Sequence, residues 1–173
     1  MSRSKYTEAA PLTGPSWWTA ALALAVALLL QIELLPLVRV HNAPVSLVLI
    51  VVVWYAVRAD VFHAAVFGLI AGLLEDVFAT GTGAGWTIAT TLTAVCAGML
   101  SRGFFADSIP LFAIIVAITT VIRDAIFWIV MWLQGYPQGY GSIHFHQTLW
   151  QSLLDALAAA AIMGAVRFRD ARR

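Results

Sequence analysis

The residues of this sequence that could do chemistry are ionisable side chains inside otherwise apolar segments. Arg123 and Asp124 lie in the middle of one segment and Asp155 lies in the next, while Glu33 and Asp76 lie near the ends of two earlier ones. A charge in hydrocarbon is costly, so such residues face one another or line a water-filled pathway. An ion or proton pathway is one interpretation. A buried network that fixes helix packing is the favoured one, because transporters usually also show broken helices or repeated halves.

Depth along the segments predicts which of these charges meet. Arg123 lies about 18 Å from the start of its segment, which enters from the cytoplasmic face, and Asp155 lies about 10 Å from the start of the next segment, which enters from the outer face. In a hydrocarbon core of about 30 Å, the two side chains are then at similar depth. Asp124 is a poor partner for Arg123 because adjacent residues on a helix diverge. We predict that Arg123 pairs with Asp155 or with Asp76.

Small residues recur every four positions on the segment that ends at Asp76. Ala64, Gly68 and Gly72 share one helical face with that carboxylate. Gly68 and Gly72 form a GxxxG element, which lets a second helix approach closely. The second helix belongs either to this protein or to a partner, for which the face would be a docking surface ending in a polar latch. Packing within the protein is favoured, because GxxxG is frequent in membrane helices.

Metal and catalytic sites are not indicated. Glu75 and Asp76 are adjacent and diverge on a helix, whereas hard cations need several converging oxygen ligands. His144 and His146 lie in a predicted external loop over 134–147 and would need further ligands from elsewhere. The sequence has no HExxH, no GxSxG, no phosphate-binding glycine loop and a single cysteine. We expect no catalysis, no cofactor and no nucleic-acid partner.

The elements that hold these residues are apolar helices. Of 173 residues, 61% are hydrophobic and 11% are charged, against about 45–50% and about 25% in soluble domains. Lipid must therefore replace water over much of the surface, and the segments lack the alternation of barrel strands. We predict an all-α integral membrane protein with a six-helix transmembrane bundle, formed by Trp17–Leu35, Pro44–Val57, Val61–Val77, Gly85–Ser101, Leu111–Leu133 and Thr148–Val166.

Basic residues predict the orientation of this bundle. With a cytoplasmic N-terminus, six spans place eight of the ten Lys and Arg residues inside, Arg39 outside and Arg123 within a helix, as the positive-inside rule requires. The prediction is one transmembrane domain over 17–166, with cytoplasmic tails over 1–16 and, rich in arginine, over 167–173. The segment Pro44–Val57 is short for a span of about 20 residues and is either a short span or re-entrant.

Several motifs resemble those of the MreD family of bacterial rod-shape proteins. They are Pro44 before the run Trp54-Tyr55-Ala56-Val57-Arg58, the run Gly68-Leu69-Ile70-Ala71-Gly72-Leu73-Leu74-Glu75-Asp76, and then Gly81, Gly85 and Gly98 before Arg102. Length and the six apolar segments also match, so the resemblance covers nearly the whole chain. Glu75 and the 134–147 loop have no place in the family pattern.

The resemblance implies a non-catalytic scaffold of the elongation (rod) complex in the bacterial inner membrane. A member of this family would bind the single-span protein MreC. Through MreC it would reach the glycosyltransferase RodA, a class B penicillin-binding transpeptidase and MreB filaments, and so support lateral peptidoglycan synthesis and cell shape. On this hypothesis Gly68, Gly72 and Asp76 form the docking face, and the charges around Arg123 keep the bundle rigid.

The resemblance also supplies the alternative function. It implies a fold similar to the substrate-binding subunit of energy-coupling-factor vitamin transporters, so capture of a vitamin-like solute is the second hypothesis. Fold likeness alone does not separate a scaffold from a vitamin binder. Buried charges that lock helices together favour the scaffold, whereas charges lining a solute-filled hollow favour the transport subunit. An enzyme acting on lipid-linked precursors has the least support, because no activated nucleophile is visible.

Overall fold

The structure is a computed structural model that describes residues 15–33, 43–79, 81–100, 108–135 and 141–172. Within these ranges the prediction of an all-helical chain with six helices is confirmed. The helices are α1 (Trp17–Glu33), α2 (Leu47–Ala56), α3 (Val61–Phe78), α4 (Gly85–Leu100), α5 (Ile109–Leu133) and α6 (Gly141–Asp170). The predicted N-terminal tail lies outside the described residues except for positions 15 and 16.

The largest difference from the predicted segments is at α6. This helix starts at Gly141 and ends at Asp170, so much of the predicted 134–147 loop is helical and the predicted basic tail begins within the helix. His, Gln and Thr have only modestly lower helix propensity than Ala. Packing of α6 against the rest of the bundle is therefore enough to extend the helix through these polar residues. Elsewhere α2 is shorter than predicted, because Ser46 caps its N-terminus by accepting a hydrogen bond from Leu49 N–H at 3.4 Å.

Three helices are long and apolar enough to cross a membrane, namely α3, α5 and residues 144–170 of α6. The other three are apolar but have 17, 10 and 16 residues in α1, α2 and α4. At about 1.5 Å per residue, α2 covers about 15 Å, or about half of the hydrocarbon core. The fold is therefore all-helical in the described residues, with three helices that could span a membrane, and a six-span membrane bundle is the finer hypothesis.

The short helix α2 occupies the centre of the bundle. It contacts α1, α3, α4, α5 and α6, and four of its side chains are completely buried: Val48, Leu49, Val52 and Val53. Its sequence LVLIVVVWYA is apolar on every side, as expected for a helix enclosed by others. Around it, α3 packs on α4 and α5 packs on α6. This arrangement brings the N-terminus of α2 against the middle of α5 and α6.

Candidate functional site

A buried ion pair links α5 to α3. Arg123 Nη2 lies 3.2 Å from Glu75 Oε1, and the two residues are 2% and 6% exposed. Thr90 on α4 donates a hydrogen bond to the other carboxylate oxygen, Oε2, at 2.9 Å. Both oxygens of Glu75 therefore accept a hydrogen bond from a different helix, which compensates for the removal of this carboxylate from water.

The second half of the cluster joins Arg123 to Asp155 through Ser46. Arg123 Nη1 donates to Ser46 Oγ at 2.8 Å, and the backbone N–H of Ser46 donates to Asp155 Oδ1 at 2.7 Å. Thr120 on α5 donates to Asp155 Oδ2 at 3.0 Å. We name these six residues the buried polar cluster: Ser46, Glu75, Thr90, Thr120, Arg123 and Asp155.

The prediction that Arg123 forms an ion pair with Asp155 or Asp76 was wrong, because its partner is Glu75. Asp155 is fully buried, but Ser46 at the start of α2 lies between the two side chains and contacts both. Asp76, the other predicted partner, is bound to α4. The position of a residue along its helix sets its height in the bundle but not its neighbours, and here the N-terminus of α2 occupies the space between α5 and α6.

The ring of Trp86 lies against the guanidinium of Arg123. Its centroid is 4.5 Å from Arg123 Cζ, and Phe127 stacks on the same indole at 3.9 Å between ring centroids. Among the described residues, Arg123 Nε has no hydrogen-bond partner. The indole compensates for this missing acceptor, because an arginine close to the face of a tryptophan is attracted by its electron density.

The remaining members of the predicted network have separate positions. Asp124 is 3% exposed and accepts a hydrogen bond from Thr148 Oγ1 at 2.9 Å, which ties α5 to α6 away from Arg123. Glu33 is exposed at the last residue of α1, so its predicted place in the buried network was wrong. A carboxylate at the end of a helix can turn towards solvent or the interface, which removes the need for a buried partner.

The small-residue face of α3 packs against α4 of the same chain. A Cβ atom added at Gly68 would lie 2.5 Å from Ala94 Cβ, and one added at Gly72 would lie 2.7 Å from the backbone of Trp86 and Thr87. Such distances require close contact between the helix backbones, as a GxxxG element allows. The face is filled by α4, so a partner's helix has no room on it.

Asp76 is the polar latch at the end of this face, and it holds the start of α4. Its Oδ1 accepts from Thr82 Oγ1 at 2.9 Å and from Trp86 N–H at 3.1 Å. Its Oδ2 accepts from the N–H and Oγ1 of Thr87 at 2.8 and 2.6 Å. The carboxylate thereby satisfies donors that a helix N-terminus leaves free and places negative charge at the positive end of the helix dipole.

A cavity of about 300 Å³ opens beside the buried polar cluster. Ser46, Glu75, Arg123 and Trp86 form part of its wall, together with the carboxamides of Gln31 and Gln151. The rest of the wall is largely apolar and includes Leu28, Ile32 and Phe78. The cluster thus both joins helices and borders a space large enough for a small molecule.

A larger apolar groove, of about 630 Å³, lies on another side of the bundle between α1 and α6. Leu22, Val26 and Leu30 of α1 line one side, Ile162 and Val166 of α6 line the other. Residues of α2, among them Val51 and Trp54, form its floor, and Arg169 lies at one end. We name this feature the α1–α6 groove.

The histidines expected in the external loop lie instead on α6. His144 is half-buried, with its ring centroid 5.6 Å from that of Trp128, and His146 is exposed. Within the described residues, no group of three or more His, Cys, Asp or Glu side chains could hold a metal ion. The chain matches no family model, no curated protein and no solved structure.

Proposed function

We propose that this protein is a non-catalytic membrane scaffold of the MreD type, located in the bacterial inner membrane. In this role it binds MreC and supports lateral peptidoglycan synthesis by the elongation complex. The observation that carries the proposal is the buried polar cluster, in which Glu75, Arg123 and Asp155 are each bound to side chains or backbone of another helix. Charges held in this way fix the positions of helices, which is what a scaffold requires.

The α1–α6 groove is the proposed seat of the membrane helix of MreC. The face of Gly68 and Gly72 is excluded because α4 fills it. The groove is lined by apolar side chains along α1 and α6, and from Leu22 to Leu30 it follows α1 for about 12 Å. Within a membrane, helices associate through such close van der Waals packing, since lipid supplies no hydrophobic driving force. We infer that a single apolar helix, that of MreC, occupies this groove.

The orientation that accompanies this proposal has six spans and both termini in the cytoplasm. The start of α1 and the arginines of the last turn of α6, Arg167 and Arg169, then lie at the cytoplasmic face, where anionic lipid attracts them. RodA and the class B transpeptidase are then reached through MreC.

Co-purification with MreC from native membranes tests this function, and the groove offers a matched pair of variants. Val26 in the groove and Leu69 on α3 are both 47% exposed, so tryptophan at either position is sterically tolerated by the fold. We expect Val26→Trp to reduce the recovered MreC several-fold by filling the groove, and Leu69→Trp to leave it unchanged. Recovery of the wild-type chain from native membranes without bound MreC would contradict the scaffold function. Equal recovery with both variants would contradict the groove as its docking surface.

The second candidate function is a substrate-binding subunit of an energy-coupling-factor vitamin transporter. The cavity beside Glu75 and Arg123 favours it, because solute capture needs a hollow with a few converging polar groups. A panel of vitamins tests it through thermal unfolding of the purified chain, since a ligand that binds only the native state raises the unfolding temperature. If no vitamin raises the unfolding temperature and MreC is recovered with the chain, the scaffold remains the proposed function.

A further inference from the structure

The cavity beside the buried polar cluster contains two carboxamides with free hydrogen-bonding atoms. Gln151 is 9% exposed and forms no hydrogen bond with any other described residue, while it lines the cavity. Gln31, on the same wall, accepts from Val48 N–H through Oε1 at 3.1 Å, and its amide donors are not used by this contact. The amide atoms of these two residues are not among the enclosed polar atoms without a partner. They are open to the cavity, so a molecule in it could bond to them without breaking a protein contact.

The two charged groups on the cavity wall form an ion pair with each other. Glu75 accepts at both carboxylate oxygens, whereas Arg123 donates from both terminal nitrogens and keeps one donor without a partner, Nε. An ionic ligand would lose its hydration without gaining a free counter-charge, which is strongly unfavourable in a buried site. The cavity therefore selects against anions and cations alike.

The remaining wall sets the size and character of a ligand. A volume of about 300 Å³ is at the lower end of the range for small-molecule sites, which is about 300–1,000 Å³. Leu28, Ile32 and Phe78 contribute apolar surface. The indole of Trp86 already contacts both Arg123 and Phe127, so hydrogen bonds and apolar contact, not stacking on this ring, would hold a ligand.

We propose that this cavity binds an uncharged small molecule, which presents amide or hydroxyl groups to Gln31 and Gln151 and an apolar part to Leu28, Ile32 and Phe78. The inference goes beyond the scaffold function and does not depend on it. In a scaffold the molecule would be a bound structural or regulatory ligand. In a transport subunit it would be the cargo.

Three probes with one ring and different charge test the proposal: benzamide, which is neutral, benzoate, an anion, and benzylamine, a cation at neutral pH. The purified full-length chain is unfolded thermally in detergent with each probe at equal concentration. We expect benzamide to raise the unfolding temperature more than either ion does, because it binds the native cavity. A larger shift with benzoate or benzylamine, or no shift with any probe, would overturn the proposal.

Two variants on one helix separate cavity binding from partition of the probe into detergent. Gln151→Leu removes the free carboxamide, and Gln147→Leu is the same substitution one turn earlier on α6 at a residue that does not line the cavity. We expect Gln151→Leu to weaken benzamide binding about fivefold or more and Gln147→Leu to leave it unchanged. Equal shifts in both variants would refute the role of Gln151. The charge series on the wild-type chain remains decisive if Gln151→Leu fails to fold, and MreC recovery reports separately on the scaffold function.

Discussion

Arg123 on α5 and Glu75 on α3 form an ion pair at 3.2 Å in which each side chain is at least nine-tenths buried. The pair joins α3 to α5, and its two residues are 48 positions apart in the sequence. Removing either partner leaves the other charge in the interior without its counter-ion, whereas removing both leaves neither of these two charges. The energetic consequences of single and double substitution are therefore very different.

Single substitutions in this pair are expected to be severe. Glu75→Gln or Arg123→Leu should each lower the free energy of unfolding by about 3–5 kcal/mol, since the remaining charge is buried and uncompensated. The double variant should lose clearly less than the sum of the two, which chemical unfolding in detergent measures as a coupling energy. The exposed pair Arg169 and Asp170, 3.8 Å apart, is the control, because neutralising it should cost less than about 1 kcal/mol. Strict additivity of the buried substitutions would contradict the pairing.

The glycine face of α3 gives a prediction with an internal control. An alanine methyl at Gly72 would lie 2.7 Å from the backbone of α4, whereas one at Gly164 on α6 meets nothing within 4 Å. Gly72→Ala should destabilise the protein by about 1–3 kcal/mol, because the backbone of α4 must move. Gly164→Ala should be neutral or stabilising, since glycine is unfavourable within a helix by about 0.5–1 kcal/mol. Similar unfolding curves for the two variants would show that α3 and α4 are not packed this closely.

The sequence predicts the six helices well and the site only in part. Apolar runs bounded by Pro, Gly and charged residues mark the helices, because a long uncharged segment has few alternatives in lipid. The start of α6 was missed because polar residues around His144 and His146 favour a loop locally, while contacts such as Thr148 with Asp124 arise only in the folded bundle.

The partner of Arg123 illustrates what a single sequence lacks. Burial of this charge follows from its place in an apolar segment, but its neighbour depends on which helices are adjacent. Glu75 was considered only as a metal ligand. Ser46 carried a readable signal, since a serine directly before an apolar run is a typical helix N-cap. Its backbone N–H on Asp155 was not predictable from that pattern.

Asp76 is expected to hold the N-terminus of α4 in place. Asp76→Ala removes the acceptor of four hydrogen bonds from Thr82, Trp86 and Thr87, and we expect a loss of about 1–3 kcal/mol in the free energy of unfolding. Amide hydrogen exchange should accelerate first at Trp86 and Thr87, whose N–H groups lose their partner. Glu33→Gln, at an exposed acidic residue, is the control. Unchanged exchange at these two amides would refute the latch.

Asp60 should make the stability of α3 depend on pH in acid. Its Oδ1 accepts from the backbone N–H groups of Phe62 and His63 at 3.0 and 3.1 Å. The backbone hydrogen bond from His63 is the largest cause that lowers the pKa of Asp60 below its ordinary value of 3.8, followed by the contact with the His63 side chain and, last, by the hydrogen bond from Phe62, while desolvation opposes them.

Because the pKa is lower in the folded state, the carboxylate stabilises the helix at pH values above the ordinary pKa. This contribution is lost as the pH falls through the lowered value. Asp60→Asn keeps a good N-cap but cannot titrate, so unfolding measured from about pH 5 down to about pH 2 should show a smaller acid dependence than in the wild-type chain. Asp170→Asn, at an exposed carboxylate near the end of α6, should retain the wild-type dependence. If both variants follow the wild-type curve, the cap at Asp60 does not contribute to acid sensitivity.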